Sequence, residues 1–162
     1  MTVEIFDPRV LANPVYKKLY KLREDYDTNL KNGVITKDQY DSRLKEQKKQ
    51  AIELYTYLST WGLMRLKAEE LALNKENIQK TSDNIKDRVK VSQYGKLEVV
   101  QEFFNSLQGL MPNSQDKLEL KKISKMDVDE YLGLTGLALA LAQEFSFWGN
   151  AIYYDIKEKE GD

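Results

Sequence analysis

The sequence predicts an all-α fold: a single-domain helical bundle of about five or six helices that closes on a long C-terminal core helix. Three observations carry this. The 162 residues include only three prolines, Pro8, Pro14 and Pro112, so the interval between the last two is free of the strongest helix breaker. Apolar residues recur there at steps of three and four, which aligns them on one side of a helix. Helix start and stop signals punctuate the pattern at plausible lengths. The length suits one domain able to bury its own core, with an N-terminal extension over 1–12, the bundle over 13–158 and a charged tail over 159–162.

The elements follow in order. Asn13-Pro14 reads as an N-cap with proline at the first helical position, and Asn32-Gly33 reads as a stop. Between them Val15, Leu19, Leu22, Tyr26 and Leu30 form one apolar stripe. Thr36 with Gln39 is a capping box opening a second helix, whose inward positions are Tyr40, Leu44, Ala51, Leu54, Tyr55 and Leu58. Ser59, Thr60 and Gly62 predict a break, because hydroxyl residues favour caps and glycine weakens helix interiors. Leu63, Leu66 and Leu71 then resume helical spacing to Asn74, and the polar stretch from Asn74 to Asn84 is a connection or an exposed helix. A run over 85–107 turns Ile85, Val89, Val100, Phe103, Phe104 and Leu107 inward, with an interruption at Gly95. Gly109 to Asp116, which holds Pro112, is a loop, and a short helix follows over 117–122.

The last helix starts at the N-cap pair Asp127 and Glu130 and runs from Val128 to about Lys157, on the order of 45 Å long. Its expected spine is Leu132, Leu137, Leu141, Phe145, Trp148, Ile152 and Ile156, while Gly133, Gly136, Ala138, Ala140, Ala142 and Gly149 keep it thin. Thin helices let neighbours approach closely, which suits a core position or a self-association face. Trp61, Phe103, Phe104, Phe145, Phe147 and Trp148 fit core spacing, with base stacking as their other use.

Composition narrows function by exclusion. The chain has no cysteine and no histidine, so thiol nucleophiles, imidazole general bases, disulfides and Cys/His zinc sites are all ruled out. Asp127, Asp129 and Glu130 are oxygen ligands in principle, yet at a helix start they also cap backbone N–H groups. Glu53, Glu69 and Glu70 lack the Glu-x-x-His pattern of a di-iron bundle, and no glycine-rich phosphate loop occurs. The expectation is a non-enzyme with no cofactor. The N-terminus shows no apolar signal segment, and the stretch Leu132–Leu141 is too short for a membrane span. A cytoplasmic protein without membrane contact is expected.

The formal net charge of −1 hides an asymmetry. Residues 17–49 hold ten basic side chains against six acidic ones, whereas residues 101–162 hold six against eleven. Lys17 and Lys21 share a helix face, as do Lys45, Lys48 and Lys49, and Lys86 with Lys90 beside Arg88. Such faces are either solvated surface or contacts to phosphates that carry no base information. A basic surface meeting the acidic C-terminal half of another copy is a further use of the asymmetry.

Three stretches carry a family resemblance. The string KISKMDVDEYLGLTGLALALAQEFSFWGNAIYYDIKEKEG, Lys122 to Gly161, resembles the closing segment of the Cmr-type small subunit of type III CRISPR effector complexes. YLSTWGLMRLKAEELA, Tyr57 to Ala72, resembles that family's helix with a Gly-Leu pair, here Gly62-Leu63, and Tyr94 to Leu107 resembles the helix after it. The resemblance implies a small, all-helical, non-catalytic protein that stacks in several copies along guide RNA and target RNA beside other effector subunits. On that basis Lys17, Lys21, Lys45, Lys48, Lys49, Lys86, Arg88 and Lys90 are the expected contacts to RNA backbone, independent of sequence. Two departures stand out. Ser146 and Phe147 occupy places where the family carries a basic pair, which removes phosphate contacts from the last helix. Lys67, Glu69 and Glu70 stand where the family is apolar, which implies a differently packed third helix. The alternative is a helical self-assembling structural or adaptor protein with no RNA role.

Overall fold

The computed structural model describes residues 7–78, 84–111 and 117–157, and all of their regular structure is helical. Seven helices occur in this order: α1 (Arg9–Lys31), α2 (Lys37–Trp61), α3 (Leu63–Ile78), α4 (Ile85–Arg88), α5 (Tyr94–Gly109), α6 (Leu120–Ser124) and α7 (Val128–Ile152). Two of these are single turns, so five helices carry the bundle.

Local signals set several boundaries as expected. Gly33 takes a left-handed φ of 72° just past the end of α1. Thr36 Oγ1 accepts from the Gln39 N–H at 3.2 Å while Gln39 Oε1 accepts from the Thr36 N–H at 3.0 Å, the reciprocal pair of a capping box. Gly62, at φ 89°, separates α2 from α3. Asp127 Oδ1 accepts from the Glu130 N–H at 2.8 Å and caps α7.

Other boundaries were moved by packing. α1 begins at Arg9 rather than at Asn13-Pro14, and Pro14 lies inside it. Leu11 is buried one turn before Val15, and burying its side chain offsets part of what a proline costs inside a helix. The interruption expected at Gly95 falls just before it: Gln93 adopts φ 71° and α5 starts at Tyr94. The short helix sits at 120–124 instead of 117–122, with Leu118 and Ile123 buried. α7 ends at Ile152, and the chain then turns so that Tyr153 and Ile156 enter the core. The Pro112 loop lies outside the described residues over 112–116, as does the polar stretch over 79–83, whereas its first part, 74–78, continues α3 as helix.

α2 is the hub. It packs on α7 along one side and on α5 along another, while α1 lies against α7 and α3 against α5. At the α2–α7 crossing, a Cβ on Gly149 would stand 2.9 Å from Ala51 Cβ, so the glycine is what lets the two backbones come this close. Phe103 is edge-on to both Phe104 and Phe145, with centroids 5.4 and 5.6 Å apart, the geometry aromatic quadrupoles favour.

The inner face of α7 is small. Leu134, Ala138, Leu141, Ala142, Phe145 and Gly149 are buried, whereas Leu132 of the expected spine is 61% exposed and Phe147 is 60% exposed. Tyr55 and Trp61, also expected inside, lie at the surface. Both sides of α7 are apolar, and α2 selected the thinner one. Lys67 pairs with Glu70 at 2.8 Å over the Phe104 ring, and Glu69 pairs with Lys96 of α5 at 2.6 Å, so these charged side chains of α3 lie against α5.

Candidate nucleic-acid interface

The basic side chains singled out from the sequence divide into two groups. Lys17 and Lys21 of α1, Lys45 and Lys49 of α2, and Lys86 and Lys90 around α4 are exposed. They form three pairs on three different elements, each pair a helical turn apart, and no shared partner joins one pair to another among the described residues. Lys48 and Arg88 are turned to the protein. Lys48 Nζ donates to the Ile156 carbonyl at 2.6 Å and tethers the C-terminal turn. Arg88 stands 3.7 Å from Asp25 of α1.

A buried polar chain joins four parts of the bundle. The Tyr26 hydroxyl of α1 donates to Glu98 Oε1 of α5 at 2.6 Å, and Gln47 Nε2 of α2 donates to the same oxygen at 3.2 Å. Gln47 Oε1 in turn accepts from the Tyr153 hydroxyl, beyond α7, at 2.8 Å. Burial raises the Glu98 carboxyl to about 7, against the opposing pull of the Tyr26 hydrogen bond and the Arg88 charge. Burial likewise raises the Tyr26 and Tyr153 hydroxyls. The sequence did hold a signal for this chain: Gln47 occupies the one polar step in the otherwise apolar series Tyr40, Leu44, Ala51, Leu54 and Leu58.

Two further clusters position helix ends. The Glu46 carboxylate accepts from the Gln93 N–H at 2.9 Å and the Gly95 N–H at 3.1 Å, so a side chain of α2 satisfies the first amides of α5. Arg43, buried beside it, donates to the Val91 carbonyl and pairs with Glu46 at 3.0 Å. At the other end, Arg23 forms a forked contact with Asp155, Nη1 to Oδ1 at 2.5 Å and Nη2 to Oδ2 at 2.8 Å, and also donates to the Ile152 carbonyl at 2.6 Å. The hydrogen bond from Arg23 holds the Asp155 carboxyl below its ordinary value.

Beside the Arg23 cluster, α1 and the end of α7 enclose a groove of about 400 Å³. Tyr16, Tyr20, Trp148 and Tyr154 line it together with Glu24 and Asp27. Sequence reasoning missed this site because Tyr16 and Tyr20 fall off the inward stripe of α1.

Asp127 is used as a helix cap, and no group of three or more acidic side chains that could hold a metal ion occurs among the described residues. None of the described helices is long and apolar enough to cross a membrane. The chain matches no protein-family model, no curated protein and no solved structure.

Proposed function

We propose that this chain is a non-catalytic scaffold subunit of a type III CRISPR RNA-guided interference complex, which stacks against copies of itself and holds guide and target RNA by the backbone. The observation that carries the scaffold role is the outer face of α7. Charged residues make up 31% of the chain, yet between Tyr131 and Tyr154 the one charged residue is Glu144. Val128, Leu132 and Phe147 stand out from that face, exposed by 73, 61 and 60%. A helix that is apolar all round belongs under a partner. A second copy fits this face because the same helix offers Gly133, Gly136 and Ala140 between its large ends, which lets two backbones cross closely.

The RNA assignment rests on the resemblance, whose three segments correspond to α3 with the preceding turn, α5, and α6 through α7. α5 packs against both α3 and α7. The exposed lysine pairs supply phosphate contacts of the kind that an A-form duplex, recognised by shape and backbone, requires.

Native purification of a tagged copy, with mass spectrometry of what accompanies it, tests the assignment. Other CRISPR subunits and short guide RNAs support it; recovery free of RNA favours the self-assembling adaptor. In RNA titrations of the complex, Lys45→Ala with Lys49→Ala should weaken binding equally for all sequences and lower the salt slope by about one per lysine. An unchanged slope removes that face. For the copy contact, Leu132→Glu should shift the protein toward monomer in sedimentation velocity, and an unchanged distribution refutes the α7 interface.

A further inference from the structure

We infer that the groove between α1 and the end of α7 receives a basic side chain, arginine or lysine, from a protein partner. The walls are aromatic: the Tyr16 ring lies 5.8 Å from Tyr20 and 5.0 Å from Trp148, centroid to centroid, and Tyr154 stands 79% exposed at the mouth. Ring faces carry negative charge density and attract a cation held above them, with tryptophan the strongest.

The charges lining the groove have the matching sign. Glu24 and Asp27 project from the same stretch of α1 as the tyrosines. Asp27 is partly engaged, since it accepts from the Tyr40 hydroxyl and lies 3.6 Å from Arg23 Nε. Glu24 is exposed and has no ion-pair partner among the described residues. Arg23, the one cation in the lining, is turned to Asp155 and the Ile152 carbonyl, so its charge is compensated where it stands. An unpaired carboxylate beside four aromatic rings selects for a cation.

The same features select against a nucleotide. The rings are inclined to one another by 36° for Tyr16–Tyr20 and 53° for Tyr16–Trp148, so a base stacked on one of them is not sandwiched by the next. A phosphate entering the groove would meet Glu24 and Asp27. A guanidinium or an ammonium meets neither obstacle, and a guanidinium also stacks on aromatic faces. This inference is independent of the RNA assignment and stands or falls with the groove alone.

The test uses the full chain with Trp61→Phe, which leaves Trp148 as the sole tryptophan reporter. Titration with a triarginine peptide should change Trp148 fluorescence saturably, and triglutamate and oligouridylate should not change it. Glu24→Gln and, separately, Tyr20→Leu, both surface changes checked for folding by circular dichroism, should each weaken the triarginine response by about two- to fivefold, the first through a lost exposed ion pair and the second through a lost cation–π contact. The absence of a saturable response to triarginine, a response to oligouridylate alone, or equal affinity in both variants and the parent overturns the inference.

Discussion

Glu98→Gln is expected to flatten the pH dependence of stability between about pH 5 and pH 8 and to raise the melting temperature at the alkaline end. The carboxyl is lifted by burial from 4.5 to about 7 in the folded protein. Over that interval the folded chain binds more protons than the unfolded chain, so stability is complete below the lower value and is lost as the pH rises through the upper one. A displacement of this size corresponds to about 3 kcal/mol at most, or several degrees in a chain this long. Glutamine reproduces the protonated acid: its carbonyl oxygen accepts from the Tyr26 hydroxyl and from Gln47 Nε2, and it never ionises. Thermal unfolding of both proteins at four pH values settles the matter. Parallel curves would show that Glu98 ionises in the core without cost. Glu98→Leu should be worse than either at every pH, because it leaves the buried Tyr26 hydroxyl and Gln47 amide without their acceptor.

Gly95→Ala and Gly136→Ala should move stability in opposite directions. A Cβ at position 95 would lie 2.3 Å from the Arg43 carbonyl oxygen and 2.9 Å from Glu46 Cβ, and a backbone carbonyl inside α2 has no room to yield. The start of α5 would have to lift away from α2, which also pulls the Gln93 and Gly95 amides off Glu46. A loss of about 2 to 3 kcal/mol is expected in urea unfolding. In the monomeric chain, with no second copy on α7, a Cβ at position 136 meets nothing within 4 Å, so the same substitution there should gain up to ~1 kcal/mol from helix propensity. Equal effects at the two sites would contradict the close α2–α5 contact.

The exposed lysines are the least decided part of the candidate site, and the reason is local. A lysine pair one turn apart identifies a shared helix face, which the sequence shows for Lys17 with Lys21 and for Lys45 with Lys49. Whether a cation faces water or the protein depends on which carbonyl or carboxylate a distant segment brings up. Lys48 meets Ile156 from 108 residues away, and Arg88 meets Asp25 across α1. The aromatic groove was illegible for the same reason, since its two walls come from opposite ends of the chain.

By itself the sequence determined whatever depends on neighbours within about four residues. The capping box at Thr36, the cap at Asp127, the turns at Gly33 and Gly62, and the single stripe of α1 all arise from backbone groups and side chains that meet inside one turn of helix. Tertiary structure decided which side of α7 is inside, because an apolar helix has no preferred face until Gly149 meets Ala51. It also decided that Gln47 and Glu98 are buried partners and that Gly95 is required, since each of these depends on atoms that approach only once separate helices have packed.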